Sequence, residues 1–176
     1  ESEFVGRLPV RSVFDHLTEA DLYQILKNPN NPIVLGKKLD FAAYDIDVKF
    51  EDSVLQMLAK HAFAENTGAR GLVSAVEKAL LEFEKRLPST PIKQFPVTSK
   101  IIENPQRSIK DLSASENNSN TQTVFEKLIQ SEKDYIKEYL KSNKHNLAEK
   151  YSLTMTPSRI DIVATCYVKN SMDIGK

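Results

Sequence analysis

The sequence predicts a mainly helical α+β fold, with about four amphipathic helices around a short β-sheet and a helical extension beyond them. Apolar residues recur at helical spacing in two long runs, residues 54–62 and 72–87, and glycine and proline separate the runs from their neighbours. Stretches near residues 46–50 and 95–102 instead carry features of strands, the first of them in strict alternation.

Thr18 is placed to cap the first helix, with Asp21 answering three residues later as a capping-box partner and Leu17 and Leu22 forming a hydrophobic staple. That helix should end near Asn28, because Pro29 stops it. Asn31-Pro32 can start a second helix, since proline suits the first helical position, and this one should reach about Tyr44. Ile46, Val48 and Phe50 alternate with Asp47 and Lys49, the period of a short strand with one buried face. Val54, Leu55, Leu58, Ala59 and Ala62 then share one helical face. After the break at Gly68, Leu72, Val76, Leu80, Phe83 and Leu87 form a second stripe that Pro88 ends. Phe95-Pro96-Val97 and Ile101-Ile102 suggest one or two further strands, and Pro96 restricts any strand there to an edge.

From Leu112 to Thr123 the chain turns to serine, asparagine and threonine, the composition of a linker. Residues 124–149 read as a charged amphipathic helix with Phe125, Leu128, Ile129, Ile136, Tyr139 and Leu140 on one side. Glu126, Lys127, Glu132, Lys133, Lys137 and Glu138 read as its solvated face. Ile160, Ile162, Ala164, Cys166 and Val168 alternate with Arg159, Asp161, Thr165 and Lys169, which suggests a strand. The chain has no internal repeat.

Composition narrows the function classes. The 176 residues are 40% hydrophobic, enough for a real core, and the 24 basic residues are balanced by 24 acidic ones. No global field favours nucleic acid or an anionic membrane, and no aromatic-basic interleaving appears. No apolar run reaches the length of a membrane span, no segment reads as a secretory signal, and cytoplasm is the expected setting. Cys166 is the single cysteine and His16, His61 and His145 are scattered, so an intramolecular disulfide is impossible and no metal is expected. The same residues offer no nucleophile and base pair for protease, metal-hydrolase or thiol chemistry.

Two glycine-arginine pairs stand out. In Thr67-Gly68-Ala69-Arg70-Gly71-Leu72 the arginine falls in the first turn of a strongly patterned helix, where it can grip a phosphate. In Glu3-Phe4-Val5-Gly6-Arg7-Leu8-Pro9 the other lies near the start. Taken alone, Gly68 is an ordinary helix terminator, Arg70 a first-turn residue and Gly6-Arg7 a turn with a solvated arginine.

Taken with their surroundings, they resemble one family. The run from Glu3 through Leu17-Thr18-Glu19-Ala20-Asp21-Leu22, Pro29-Asn30-Asn31, Phe50-Glu51-Asp52 and the Gly68-Ala69-Arg70 turn to Leu87-Pro88-Ser89 is similar to the carboxy-terminal part of ClpX-type AAA+ proteins, the ATP-driven ring unfoldases of the Clp family. The resemblance implies an AAA+ small, or lid, domain over residues 12–111. Residues 1–11 would be the end of the large domain and the hinge, residues 112–123 a linker and residues 124–176 an extension outside the match. Since Glu1 opens inside the first motif, the chain is expected to be part of a longer protein.

The resemblance also implies roles. Arg7 would be the arginine finger, catalytic in trans on ATP bound by a ring neighbour, as a planar, permanently charged guanidinium suits phosphoryl transfer. Arg70, with Gly68 and Ala69, would bind nucleotide in cis as the second sensor. The chain has no Gly-x-x-x-x-Gly-Lys-Ser/Thr loop, so it is not expected to hydrolyse ATP alone; a large domain would supply that loop and the magnesium. Implied partners are that large domain, the other subunits of a homo-hexamer and protein substrates, with a protease ring left open. Three departures remove local positive charge or aromatic surface: Lys37 replaces a usual tyrosine, Val73 a common basic residue, and Glu65-Asn66 two basic residues. The alternative is a non-enzymatic helical interaction or oligomerisation module, in which residues from Val124 onward bind an adaptor. The apolar face of that helix could equally pack back on the small domain.

Overall fold

A computed structural model describes residues 15–114, 119–145 and 156–170. Helix α1 (Glu19–Lys27) begins at the expected cap: the Thr18 hydroxyl accepts from the Asp21 amide at 3.2 Å, and the Asp21 carboxylate accepts from the Thr18 amide at 2.9 Å. The Thr18 amide and hydroxyl hold the Asp21 carboxyl below its ordinary value. Thr18→Ala is expected to cost about 1 kcal/mol, read as a lower midpoint in urea with an unchanged slope. No shift of the midpoint would mean that the helix start is fixed by packing alone.

Asn31 caps α2 (Pro32–Ala42), accepting from the Ile33 amide at 2.7 Å, while its side-chain amide donates to the Ile25 carbonyl at 2.7 Å. One asparagine therefore both starts α2 and ties it back to α1. The chain turns at Asp45, which takes a left-handed φ of 60°, and enters β1 (Asp47–Phe50). Helices α3 (Asp52–Ala64) and α4 (Arg70–Arg86) then cross over before β2 (Gln94–Val97). The crossover is required because β2 pairs parallel to β1, with Val48 opposite Phe95 and Lys49 opposite Pro96. In a two-stranded sheet each strand is an edge, which accommodates Pro96.

The two helical stripes meet as the spacing requires. Val54, Leu55, Leu58, Ala59 and Ala62 of α3 and Leu72, Ala75, Val76, Leu80 and Phe83 of α4 are buried in one cluster with Phe41, Val48 and Phe95. Phe95 stacks between Phe83 and Phe41, with ring centroids at 4.9 and 5.8 Å. A short 3-10 turn, Leu87–Ser89, follows α4 at Pro88. The fold class is the one expected, mainly helical α+β.

Beyond β2 the structure corrects two elements and refines a third. Ile101 and Ile102 lie in a short helix, α5 (Ser99–Glu103), because Thr98-Ser99 starts a turn immediately after β2. The residues read as a linker are helical at both described ends, since α6 (Pro105–Ala114) sends Ile109 and Leu112 into the first cluster and α7 (Ser119–Ser142) is already helical before Thr123. The expected strand around residues 160–168 is instead helix α8 (Pro157–Asn170). Its buried residues are Ile160, Ala164, Tyr167 and Val168, a helical spacing hidden within the two-residue alternation. Ile162 and Cys166, which share that alternation, are exposed. The start signal was present: Pro157 occupies the first turn, and the Thr156 carbonyl accepts from the Ile160 amide at 3.0 Å.

Helices α7 and α8 pack on each other around a second cluster, with Ile136, Leu140, Ile160, Ala164, Tyr167 and Val168 as its buried members. This pair covers the sheet, with α7 touching both strands. Lys49, expected on the open face of β1, is consequently only 1% exposed.

Candidate functional site

The turn joining α3 to α4 carries Gly68, Ala69 and Arg70. It is a tight reversal with two left-handed residues, Asn66 at φ 52° and Gly68 at φ 64°. The Gly71 amide donates to the Gly68 carbonyl at 3.0 Å, and the Leu72 amide to the Ala69 carbonyl at 3.2 Å, so the first turn of α4 closes on this loop. Gly71 is needed for a different reason: a Cβ there would lie 2.7 Å from Thr67 Oγ1 and 3.1 Å from the Ala62 carbonyl oxygen. Only a glycine lets the start of α4 press this closely against the end of α3.

Arg70 is the first residue of α4 and is exposed. Its guanidinium has no ion-pair or hydrogen-bond partner among the described residues. Ala69 at the N-cap makes no side-chain capping bond, and no acidic residue falls in the first turn. A helix start normally attracts an oxygen ligand or a carboxylate, and here neither is provided by the neighbouring side chains. The local departures in charge are partly absorbed: Glu65 pairs with Lys78 at 2.7 Å, and Lys37 pairs with Glu84 at 2.8 Å. Arg7, with the rest of its motif, lies outside the described residues, so the two arginines predicted to act on nucleotide are not seen together.

A cavity of about 420 Å³ lies elsewhere, between the first helical body and the α7–α8 pair. Sequence reasoning left open that the helix from Val124 packs back on the lid, but it did not anticipate the charges at this junction. Lys38 and Lys49 are buried there, and Glu132, read as part of a solvated face, is the carboxylate that both of them meet. The only hint in the sequence was that Lys49 stands inside a strand pattern.

At the edge of the same region Lys27 pairs with Asp52 at 2.9 Å, and the Tyr23 hydroxyl donates to the Asp52 carboxylate at 2.7 Å. Burial raises the Asp52 carboxyl, but the Lys27 and Tyr23 bonds outweigh it and hold the group below its ordinary value of 3.8. A depressed carboxyl contributes stability above its unfolded value, and the contribution is lost as the pH falls through the folded one. Asp52→Asn is therefore expected to flatten the acid limb of the stability profile below about pH 4, as followed by thermal melts. An unchanged limb would assign the acid sensitivity to other carboxylates.

Among the described residues no cluster of histidine, cysteine, aspartate or glutamate could hold a metal ion, and no helix is long and apolar enough to cross a membrane. Two capped helices, a parallel two-stranded sheet with an α3–α4 crossover, and an arginine opening α4 make up the part of the chain that known proteins match. Residues 17–87 match the family described as the C-terminal, D2-small domain, of ClpB protein. Over 103 residues the chain is 42% identical to the ATP-dependent Clp protease ATP-binding subunit ClpX of Borrelia duttonii, covering 58% of this chain and 24% of that relative. The ClpX subunit of Borrelia recurrentis matches to the same extent, and that of Treponema denticola is 35% identical over 103 residues, 25% of its length. The chain carries a ClpX-type AAA+ C-terminal small domain. It spans about a quarter of the length of the curated relatives it matches.

Proposed function

We propose that this chain serves as the C-terminal lid of an ATP-dependent protein unfoldase of ClpX type, in which Arg70 senses the nucleotide bound by its own subunit. The observation that carries this reading is the Arg70 guanidinium, without a partner among the described residues, at a helix start with no side-chain cap, on a turn whose glycines set the position of α4. A phosphate placed there would meet a fixed positive charge and the positive end of the helix dipole. In this reading Arg7 reaches from one subunit to ATP on the next, a large domain supplies the phosphate loop and magnesium, and rotation of the lid carries nucleotide state around a cytoplasmic homo-hexamer. Protein substrates, and a protease ring where one is present, would engage that assembly.

The names of the relatives, ATP-binding subunits of an ATP-dependent protease, support the use of nucleotide. The competing reading, a free interaction module, is weakened because α7 and α8 turn their buried apolar residues toward each other and toward the lid in cis. The test is ATP turnover and nucleotide binding by the full-length parent carrying Arg70→Ala. Unchanged turnover and binding would make the Gly68 turn purely structural and return the interaction module to first place.

A further inference from the structure

The described residues contain two separate hydrophobic clusters, one in the lid and one between α7 and α8. The seam between them is chemically unlike either. Glu132 of α7 bonds Lys38 through one carboxylate oxygen and lies 3.3 Å from Lys49 Nζ through the other. The Lys49 ammonium also donates to the Val168 carbonyl of α8 at 2.6 Å and lies 3.2 Å from Asp47. Further polar contacts flank these ions: the Tyr167 hydroxyl donates to the Pro29 carbonyl at 2.9 Å, and Lys27 sits 5.1 Å from the Tyr135 ring centroid. The cavity of about 420 Å³ runs along the same seam, between Leu26, Val34 and Phe50 on the lid and Leu128 and Ile136 on α7.

We propose that the lid face bearing Lys38 and Lys49 is a separable docking surface for a helix pair, keyed to a single carboxylate and filled in cis by α7 and α8. Two buried ammonium groups need a counter-charge, and α7 delivers it at one position. Among the described residues Asp47 is the other carboxylate paired with Lys49; it is partly exposed and makes no ion pair with Lys38. Once Glu132 is neutral, the least costly way to rehydrate the lysines is to open the seam. Neither hydrophobic cluster has to be broken for that, and the cavity already limits the apolar contact that opposes it. Docking is thus decided by charge more than by area.

Amide hydrogen exchange on the 176-residue chain tests this with Glu132→Gln, which removes the charge and keeps the shape. Amides of Ser119–Ser142 and Pro157–Asn170 are expected to exchange roughly tenfold faster or more, while those of Asp52–Ala64 and Arg70–Arg86 keep their protection. The triple variant Lys38→Met, Lys49→Met, Glu132→Met should restore protection of α7 and α8, because no buried ion then needs water. Unchanged exchange of α7 in Glu132→Gln would overturn the proposal, since apolar contact would then suffice to hold the pair. Equal loss of protection in α3 and α4 would overturn it too, by making the seam inseparable from the lid core. A triple variant that exchanges as fast as Glu132→Gln would show that uncompensated lysines are not what opens the seam.

Discussion

Arg70→Ala in the full-length parent is expected to lower ATP turnover by roughly ten- to a hundredfold, the range set by losing one charge-assisted contact of about 1.5–3 kcal/mol. The side chain is exposed and has no partner among the described residues, so its removal breaks no internal bond. Thermal stability and ring assembly should stay at the parent's level, which separates a role at the nucleotide from a role in folding. Arg70→Lys should recover only part of the rate, because an ammonium is a point charge and lacks the planar fork that meets two phosphate oxygens together. Full recovery with lysine would reduce the contribution to charge alone. A fall in melting temperature beside the lost turnover would show that the start of α4 depends on this side chain after all.

The largest expected loss of stability is at Phe95. Phe95→Ala should cost about 3–5 kcal/mol, a large part of the 5–15 kcal/mol that holds a typical domain together. Phe95 is fully buried, stands opposite Val48 in the parallel pair, and fills the space between Phe83 and Phe41. Alanine would leave a cavity bounded by a strand and by α2 and α4, elements fixed by their own backbone hydrogen bonds, so collapse around it would be limited. Urea unfolding measures the effect. A loss below about 1 kcal/mol would mean that the two phenylalanines close over the gap, and that the sheet contributes little to holding α2 against α4.

Much of the lid was legible in the sequence because its signals are local. Thr18 with Asp21, and Asn31 with Pro32, announce helix starts through bonds that span only two or three residues. The stripes of α3 and α4 declare their buried faces by period alone, and Gly68 marks a reversal that needs a left-handed φ. Arg70 could be placed at the start of α4 for the same reason: a glycine break followed by a helical stripe locates the first turn. That its helix start has no side-chain cap, and that the nearby Glu65 is turned to Lys78, became visible only in the structure.

The sequence by itself determined α1 through α4, the caps of α1 and α2, the β1 and β2 segments and the position of Arg70 on the turn. Tertiary structure decided the identity of α8, the burial of Lys49 and the role of Glu132. The alternation of residues 160–168 fits a strand as well as a helix, and what selects the helix is a partner, α7, whose apolar side matches Ile160, Ala164, Tyr167 and Val168. Lys49 reads as solvent-facing because nothing within β1 shows that a second layer covers the sheet. That layer comes from far along the chain: the Val168 carbonyl that receives the Lys49 ammonium is 119 residues away, and Glu132 is 94 residues from Lys38. Period and capping act over one or two turns of chain, whereas the compensation of a buried charge depends on which distant segment folds back to meet it.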